Sequence, residues 1–490
     1  MLIDNRSAIN RWAVPIATLV VIIAGAMRYI AQPSFWLDEA FIAAPLRDPT
    51  PATIFARLDY GQFFPRLYLG VIALVREVFG YHVWSLRLLP FVCFIIATLL
   101  WARLLAKRSA PLAALGIASA ALLIGASFWL DQAIQLKQYT FDVLLALVPF
   151  VLADDFFKTT LVDGRRKALL IAIALPCLLS YTYPFALGAR IAGWYFDQGR
   201  RAGWRVNKTA ALILMVAIAL ALGGIWLTDQ RFNLMDRPAY LAYWKDCILR
   251  SCLEQNPAGA FPLLAKFLWG WHGRQPPVTA GMAVLQILGV YAVIVRWKTR
   301  ATDDATWGSR SLGSIVLLGG MLLASLVLSY PICAGRVMLF AQVHTQILAL
   351  EGARFILTQW RARQTVMALL YIFLAVLAVY SAREYARFVR AEAPENIRPM
   401  LSQIKPDIAG TLWVSSCSVA QVRSLPDEIP VQNIVMGDKH YPPRGEKVWI
   451  LWTHLGANRC VDELDEVRSR ARSWQVIHEG YGRGLALAEF

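Results

Sequence analysis

The chain has 490 residues, of which 57% are hydrophobic and only 17% charged, with a mean hydropathy of +0.47. These values exclude an ordinary soluble globular protein and define a polytopic membrane protein. The formal charge of +16 does not indicate a nucleic-acid partner, because Lys and Arg fall in short connections between apolar runs and no recognition motif for DNA or RNA is present.

Apolar runs long enough to suggest spans lie at about 12–31, 84–104, 110–128, 138–156, 168–182, 184–197, 208–227, 280–297, 312–330, 336–357 and 366–382, about eleven in all. The first is long for a signal-peptide core and lacks a small-residue cleavage site, so it is expected to be retained. Basic residues concentrate in alternate connections, among them Arg103, Lys107 and Arg108, then Arg165, Arg166 and Lys167, then Arg296, Lys298 and Arg300. The positive-inside rule makes these cytoplasmic, which puts the N-terminus inside and the C-terminus outside.

Two outer loops exceed mere connectors. The first, about 32–83, holds the adjacent carboxylates Asp38 and Glu39 and then FFPRLYLGVIALVREVFG, whose Arg66 and Arg76 suit an interfacial helix. The second, about 228–279, is rich in Trp, Tyr and Pro, including Tyr240, Tyr243, Trp244, Trp269 and Trp271, as expected at headgroup level. Beyond a transmembrane domain at 1–382, hydropathy falls. In 383–490 the runs TLWVSS, VWILWTHL and GLALAEF alternate with a helical stretch from Val461 to Trp474, which predicts a small α/β domain on the periplasmic side.

The cysteines show no metal-ligand spacing. Cys93 and Cys177 read as core thiols. Cys247 and Cys252 share the second outer loop, Cys417 and Cys460 share the terminal domain, and an outer compartment permits a disulfide in each.

Short motifs follow one another in order: WLDEA after the first span, then FFPRLYL, then SLRLLP opening the second span, QLKQYTFDVLLAL opening the fourth, SYTYP, and YPICAGRVMLF opening the tenth. Their order and shared sidedness resemble bacterial protein O-mannosyltransferase-like and aminoarabinose lipid A transferase-like glycosyltransferases of the GT-C class, over roughly 10–360. The tail, with ENIRPMLSQI and KVWILWTHL, also resembles tails in one bacterial branch of that group. Many relatives carry a Glu two positions before the Lys of the Lys-Gln-Tyr motif, where this chain has Gln135.

The resemblance implies a GT-C fold of about eleven transmembrane helices and a donor sugar on a polyprenyl phosphate. Such transfer needs a base for the acceptor hydroxyl and cations for the departing phosphate. Asp38 is the expected base with Glu39 beside it, and Lys137, Tyr139 and Arg336 are the expected phosphate clamp, with Arg66 a further candidate. Each has a plainer reading: a solvated acidic loop for Asp38 and Glu39, and snorkelling at span ends for Lys137 and Arg336. Asp131 reads as a turn residue, His344 and Glu351 as polar contacts inside the bundle, and Asp154 and Asp155 as cytoplasmic and uninvolved.

The leading expectation is an inner-membrane, inverting hexosyl- or pentosyltransferase acting on the periplasmic face, with a glycan, lipid or protein as acceptor. Metal dependence stays open: a divalent cation could bridge Asp38, Glu39 and the phosphate, but two carboxylates are too few to demand one. The competing readings are a transporter or flippase of lipid-linked glycans, and a membrane-anchored binding protein acting through its outer domain.

Overall fold

A computed structural model describes residues 4–58, 62–108, 127–152, 172–202, 208–269, 276–299, 305–333, 335–359, 364–390, 393, 395–437, 440–442, 444–454, 458–480 and 482–490. In chain order the principal helices are α1 (Asp4–Ala31), α2 (Leu37–Ala43), α3 (Arg66–Phe79), α4 (Val83–Arg108), α5 (Ser127–Gln132), α6 (Tyr139–Val151), α7 (Tyr183–Ala202), α8 (Lys208–Ile225), α9 (Arg231–Trp244), α10 (Leu249–Gln255), α11 (Ala260–Trp269), α12 (Pro276–Thr299), α13 (Ala305–Val327), α14 (Leu339–Gln359) and α15 (Gln364–Arg390). The terminal region adds β1 (Thr411–Val414), α16 (Val419–Arg423), β2 (Asn433–Met436), β3 (Lys447–Trp452), α17 (Asn458–Arg470), β4 (Ser473–Gly480) and β5 (Arg483–Glu489).

The protein is a multi-pass α-helical membrane protein with a small C-terminal α/β domain. Among the described residues, six helices are long and apolar enough to cross a bilayer: Val14–Ala31, Val83–Leu104, Ala211–Asp229, Pro276–Thr299, Gly308–Val327 and Gln364–Arg390. Their outward faces leave large apolar side chains exposed, as at Ile16, Leu19 and Ile23 on α1 and Leu369, Ile372 and Val379 on α15, which is the surface lipid covers.

Several expected spans differ from this set. The run at 110–128 lies almost wholly outside the described residues, as do Asp154 and Asp155, Trp271 and the side chain of Asp131. The fourth run gives only the 13-residue α6. The described part of 168–182 closes in a 3-10 turn, Leu175–Leu178, and a polar Ser180–Thr182 turn rather than a continuous helix, because Pro176 removes a backbone donor there. The tenth run forms α14, which is buried almost throughout and carries Gln342, His344, Gln346 and Glu351 inward. It is a central helix that faces protein, so its composition is less apolar than that of a lipid-facing one. The second outer segment is helical over most of its described length rather than a loop, running through a π-helical turn at Trp226–Gln230 and then α9, α10 and α11.

The chain divides into two compact units. The first comprises Met1–Met27, Phe63–Gly70 and Leu89–Val389; the second comprises Arg28–Gln62, Val71–Leu88 and Arg390–Phe490.

Glycine decides the closest helix crossing in the first unit. A Cβ on Gly289 of α12 would stand 1.8 Å from the Leu348 carbonyl oxygen, and one on Gly352 of α14 would stand 1.8 Å from the Leu285 carbonyl oxygen. Only hydrogen at both positions lets the two backbones touch, the means by which helices associate where lipid removes the hydrophobic drive. His344 and Glu351 make the polar contacts inside the bundle that were expected of them: His344 Nδ1 meets Ser314 Oγ at 3.2 Å, and Glu351 accepts from Ser311 at 3.0 Å and from Arg296. A disulfide joins Cys247 to Cys333, with Cα atoms 4.8 Å apart. The expected Cys247–Cys252 partnership is therefore corrected: Cys252 is a free thiol on α10, and the true partner lies in the connection between α13 and α14.

In the second unit the sheet has the order β2-β1-β3-β5-β4, with β1 parallel to β2 and β3, and β5 antiparallel to β3 and β4. The three anticipated β-runs are β1, β3 and β5; the four-residue, partly exposed β2 and the more polar β4 were not legible in the sequence. Trp413, Ile450, Trp452, Val467 and Phe490 form its core. A second disulfide, Cys417–Cys460, closes it as expected.

Candidate active site

The acidic motif lies in the second unit and is not a solvated loop. Glu39 is buried on the first turn of α2, where Arg87 Nε donates to its Oε1 at 3.0 Å and Arg87 Nη2 to its Oε2 at 2.6 Å. The Trp36 N–H donates to the same Oε2 at 2.9 Å, so Glu39 also satisfies a backbone donor at the start of its own helix. The remaining Arg87 donors reach back to the Pro33 carbonyl at 2.5 Å and the Ser34 carbonyl at 3.1 Å, and the guanidinium lies 5.1 Å from the Phe35 ring centre. One side chain therefore fixes the whole turn Pro33–Glu39 and joins the WLDEA motif to SLRLLP.

Asp38, the neighbour of this locked carboxylate, is half-buried on the same first turn. Adjacent helical positions diverge by about 100°, so the pair divides: Glu39 points into the Arg87 lock while Asp38 keeps partial access to solvent. An ion shared by both carboxylates would have to displace an Arg87 donor. Among the described residues no group of three or more His, Cys, Asp or Glu side chains gathers as a metal site.

The candidate cations lie in the first unit. Lys137 is buried in the turn between α5 and α6, its N–H bonded to the Gln135 carbonyl at 2.8 Å, and Tyr139 is the buried first residue of α6. Arg336, half-buried, opens the 3-10 turn Arg336–Met338 that leads into α14. Gly335 precedes it at φ +142°, a conformation that an L side chain rarely adopts, and this sets the sharp entry. Two contacts bring these turns to one end of the bundle. Helix α5 packs against the Arg336–Met338 turn. Helices α6 and α14 run in the same direction: Phe150 lies against His344 and close to where a Cβ on Gly313 would stand, and the next residues lead to the Leu152 carbonyl, which Arg310 binds at 3.1 Å.

Arg66 is placed differently from the simple clamp the sequence suggested. It begins α3 and pairs with Asp229 of the π-helical turn at 3.3 Å, each side chain only 3% exposed. The Tyr181 hydroxyl donates to the other oxygen of Asp229. Beside this group, Ser180 donates to Asp142 Oδ1 at 2.5 Å, and Tyr68 stacks on Phe141 with centroids 4.7 Å apart. The SYTYP motif thus supplies partners for two acids embedded in apolar sequence.

Arg87, Asp142, Tyr181 and Asp229 are the members that sequence reasoning missed. Each was marked by an ionisable or hydrogen-bonding group inside or at the edge of an apolar run, which is costly unless paired.

No known protein-family model matches this sequence, and no curated protein is detectably similar to it. Solved structures are similar in shape. The oligosaccharyltransferase of Archaeoglobus fulgidus in the apo form gives a TM-score of 0.46 at 12% identity over 86% of this chain, which spans 64% of that longer protein. ArnT from Cupriavidus metallidurans gives 0.39 at 12% identity in the apo state, covering 98% of both chains. ArnT bound to undecaprenyl phosphate gives 0.36 at 12% identity, covering 97% of both. Scores below 0.5 at this identity transfer neither substrate nor mechanism.

Proposed function

We propose that this protein is a GT-C glycosyltransferase that moves a sugar from a polyprenyl-phosphate carrier to an acceptor hydroxyl at the periplasmic face of the inner membrane, with inversion. The observation that carries the reading is the division of the acidic pair. A buried Arg87–Glu39 lock holds the turn rigid and presents one half-buried carboxylate, Asp38, at a fixed pitch. Asp38 takes the acceptor proton as the new bond to the anomeric carbon forms and the bond to phosphate breaks, leaving polyprenyl phosphate. One base and one displacement give inversion. Lys137, Tyr139 and Arg336 hold the phosphate as its charge develops, Lys as a point charge and Arg through its planar fork.

The sidedness has independent support. Both disulfides, Cys247–Cys333 and Cys417–Cys460, fall in segments that the basic-loop pattern assigns to the outside, while Cys93 and Cys177, within apolar runs, are free. The acceptor is a glycan, lipid or protein hydroxyl.

The test is transfer by purified protein in liposomes supplied with polyprenyl-phosphate sugars, followed by mass spectrometry of products. Asp38→Asn keeps the shape and removes the base, and should lower the rate by about 10² to 10⁴ with donor binding retained. Near-normal transfer by Asp38→Asn would remove the assignment.

A further inference from the structure

The carboxyl ends of β1 and β3 in the terminal domain are occupied by the protein's own acidic motif. From β1 the chain passes through α16 to β2 on one side, and the next strand, β3, pairs on the other side of β1. That reversal is the topological switch point at which open α/β sheets bind their ligands, outside the carboxyl ends of the strands. Here the residues just past those ends form a buried hydroxyl chain: Ser415 Oγ lies 2.8 Å from Ser418 Oγ, which lies 3.0 Å from Thr453 Oγ1, and Thr453 donates to Gln421 Oε1 at 2.7 Å. With its oxygen so engaged, the Gln421 amide turns its nitrogen outward, and Nε2 donates to the Phe35 carbonyl at 3.1 Å.

A second arm reaches the same turn. Glu395 Oε2 accepts the N–H of Leu37, one of the amides that the start of α2 leaves unsatisfied, at 3.2 Å. Its Oε1 is held by His454 Nδ1 at 2.5 Å. Glu395 and His454 both sit at positive φ, +57° and +62°, where non-glycine residues are uncommon and persist only if their surroundings hold them. Asn396 Oδ1 accepts the Ser34 N–H at 2.9 Å, and the Ile397 N–H donates to Ser34 Oγ at 2.9 Å. Ser34, Phe35 and Leu37 of this turn are thus each bound by the terminal domain, as a ligand would be.

We propose that the terminal domain is a positioning device for the proposed base: Gln421 and Glu395 are positioning residues that act through α2 to set the placement of Asp38. The sheet's ligand-binding edge has as its ligand the catalytic turn of the same chain. This rests on the reading of Asp38 given above.

The experiment uses the full-length protein in liposomes. Gln421→Met removes the donor at similar volume, Glu395→Ala removes the acceptor, and Glu395→Gln restores an acceptor for the Leu37 amide. Hydrogen exchange of the segment 33–43 is measured beside transfer kinetics, since exchange reads the docking whether or not Asp38 is the base. The expected result is faster exchange in 33–43 for Gln421→Met and Glu395→Ala, a fall in kcat of about 10- to 100-fold with KM for the donor little changed, and recovery in Glu395→Gln. In an Asp38→Asn background the same replacements should add no further loss, because they act through Asp38. Unchanged exchange in both variants overturns the docking role. Faster exchange with a multiplicative loss in the Asp38→Asn background, or an effect on KM alone, overturns action through Asp38. Should Asp38→Asn itself transfer normally, the functional reading fails, and the exchange result still decides whether the terminal domain holds the turn.

Discussion

Arg87 closes on Glu39 with two donors, at 3.0 and 2.6 Å, and the two side chains are only 3% and 2% exposed. A buried pair of this kind is held less for net stability than because either half alone is intolerable: removing one partner leaves an unpaired buried charge, at a cost of about 3–5 kcal/mol. Glu39→Ala and Arg87→Ala should each destabilise by about that amount. The double replacement Arg87→Met with Glu39→Leu should recover much of the loss in stability but not transfer, because the contacts from Arg87 to Pro33 and Ser34 go with it. Thermal unfolding of the four proteins in detergent, with transfer assayed in parallel, checks both halves.

The glycine crossing of α12 and α14 makes a sharper structural prediction. Gly289→Ala drives a methyl into the Leu348 carbonyl at 1.8 Å and leaves no flexible side chain to yield, so the helices must part; overpacking typically costs about 1–3 kcal/mol. Gly320→Ala, on α13, meets nothing within 4 Å and should be neutral or slightly stabilising, since Ala has the higher helix propensity. Equal melting temperatures for the two variants would contradict the crossing.

The Cys247–Cys333 bond closes a loop of 86 residues in sequence separation. Its loss through Cys333→Ala should cost about 2–4 kcal/mol, whereas Cys252→Ser should change stability by less than about 0.5 kcal/mol. Non-reducing peptide mapping of protein from the membrane should recover Cys247 linked to Cys333, and a Cys247–Cys252 peptide in its place would refute the assignment.

Periodicity and turn chemistry show where such a chain has helices, strands and tails, and they made the apolar body, α3, the three apolar strands and the Cys417–Cys460 pair legible. They do not reveal which distant residues meet. Glu39 and Arg87 are 48 positions apart, and nothing within either WLDEA or SLRLLP says that one completes the other. The same limit hid Asp229 behind Arg66 and the terminal domain behind Ser34–Leu37. The Cys247 partner was misjudged for a related reason: nearness in sequence suggested Cys252, but α10 directs Cys252 elsewhere, with its Sγ 3.7 Å from the Asp246 carbonyl. Hydropathy and the described helices differ at two runs, each for its own physical cause. A central helix such as α14 faces protein on all sides and tolerates Gln, His and Glu, so hydropathy alone underrates it, whereas a proline-broken run such as 168–182 is overrated.

The last prediction separates Arg66 from the phosphate clamp. Arg66 is committed to Asp229, and Tyr181 secures that carboxylate from the other side, so the three side chains form a strut between α3, the SYTYP turn and the π-helical turn. Were Arg66 chiefly a phosphate ligand, Arg66→Ala should weaken donor binding as Arg336→Ala is expected to. As a strut it should instead lower stability by about 3–5 kcal/mol, the cost of stranding Asp229, and Arg66→Ala combined with Asp229→Ala should be less destabilised than Arg66→Ala alone. Tyr181→Phe removes one hydrogen bond to a carboxylate and should cost about 1.5–3 kcal/mol. Binding of a polyprenyl phosphate to each variant, measured beside unfolding, gives the decision. Recovery of stability in the double variant with donor affinity near that of the unaltered protein supports the strut. A loss of affinity as large as that of Arg336→Ala, persisting in the stable double variant, would return Arg66 to the phosphate.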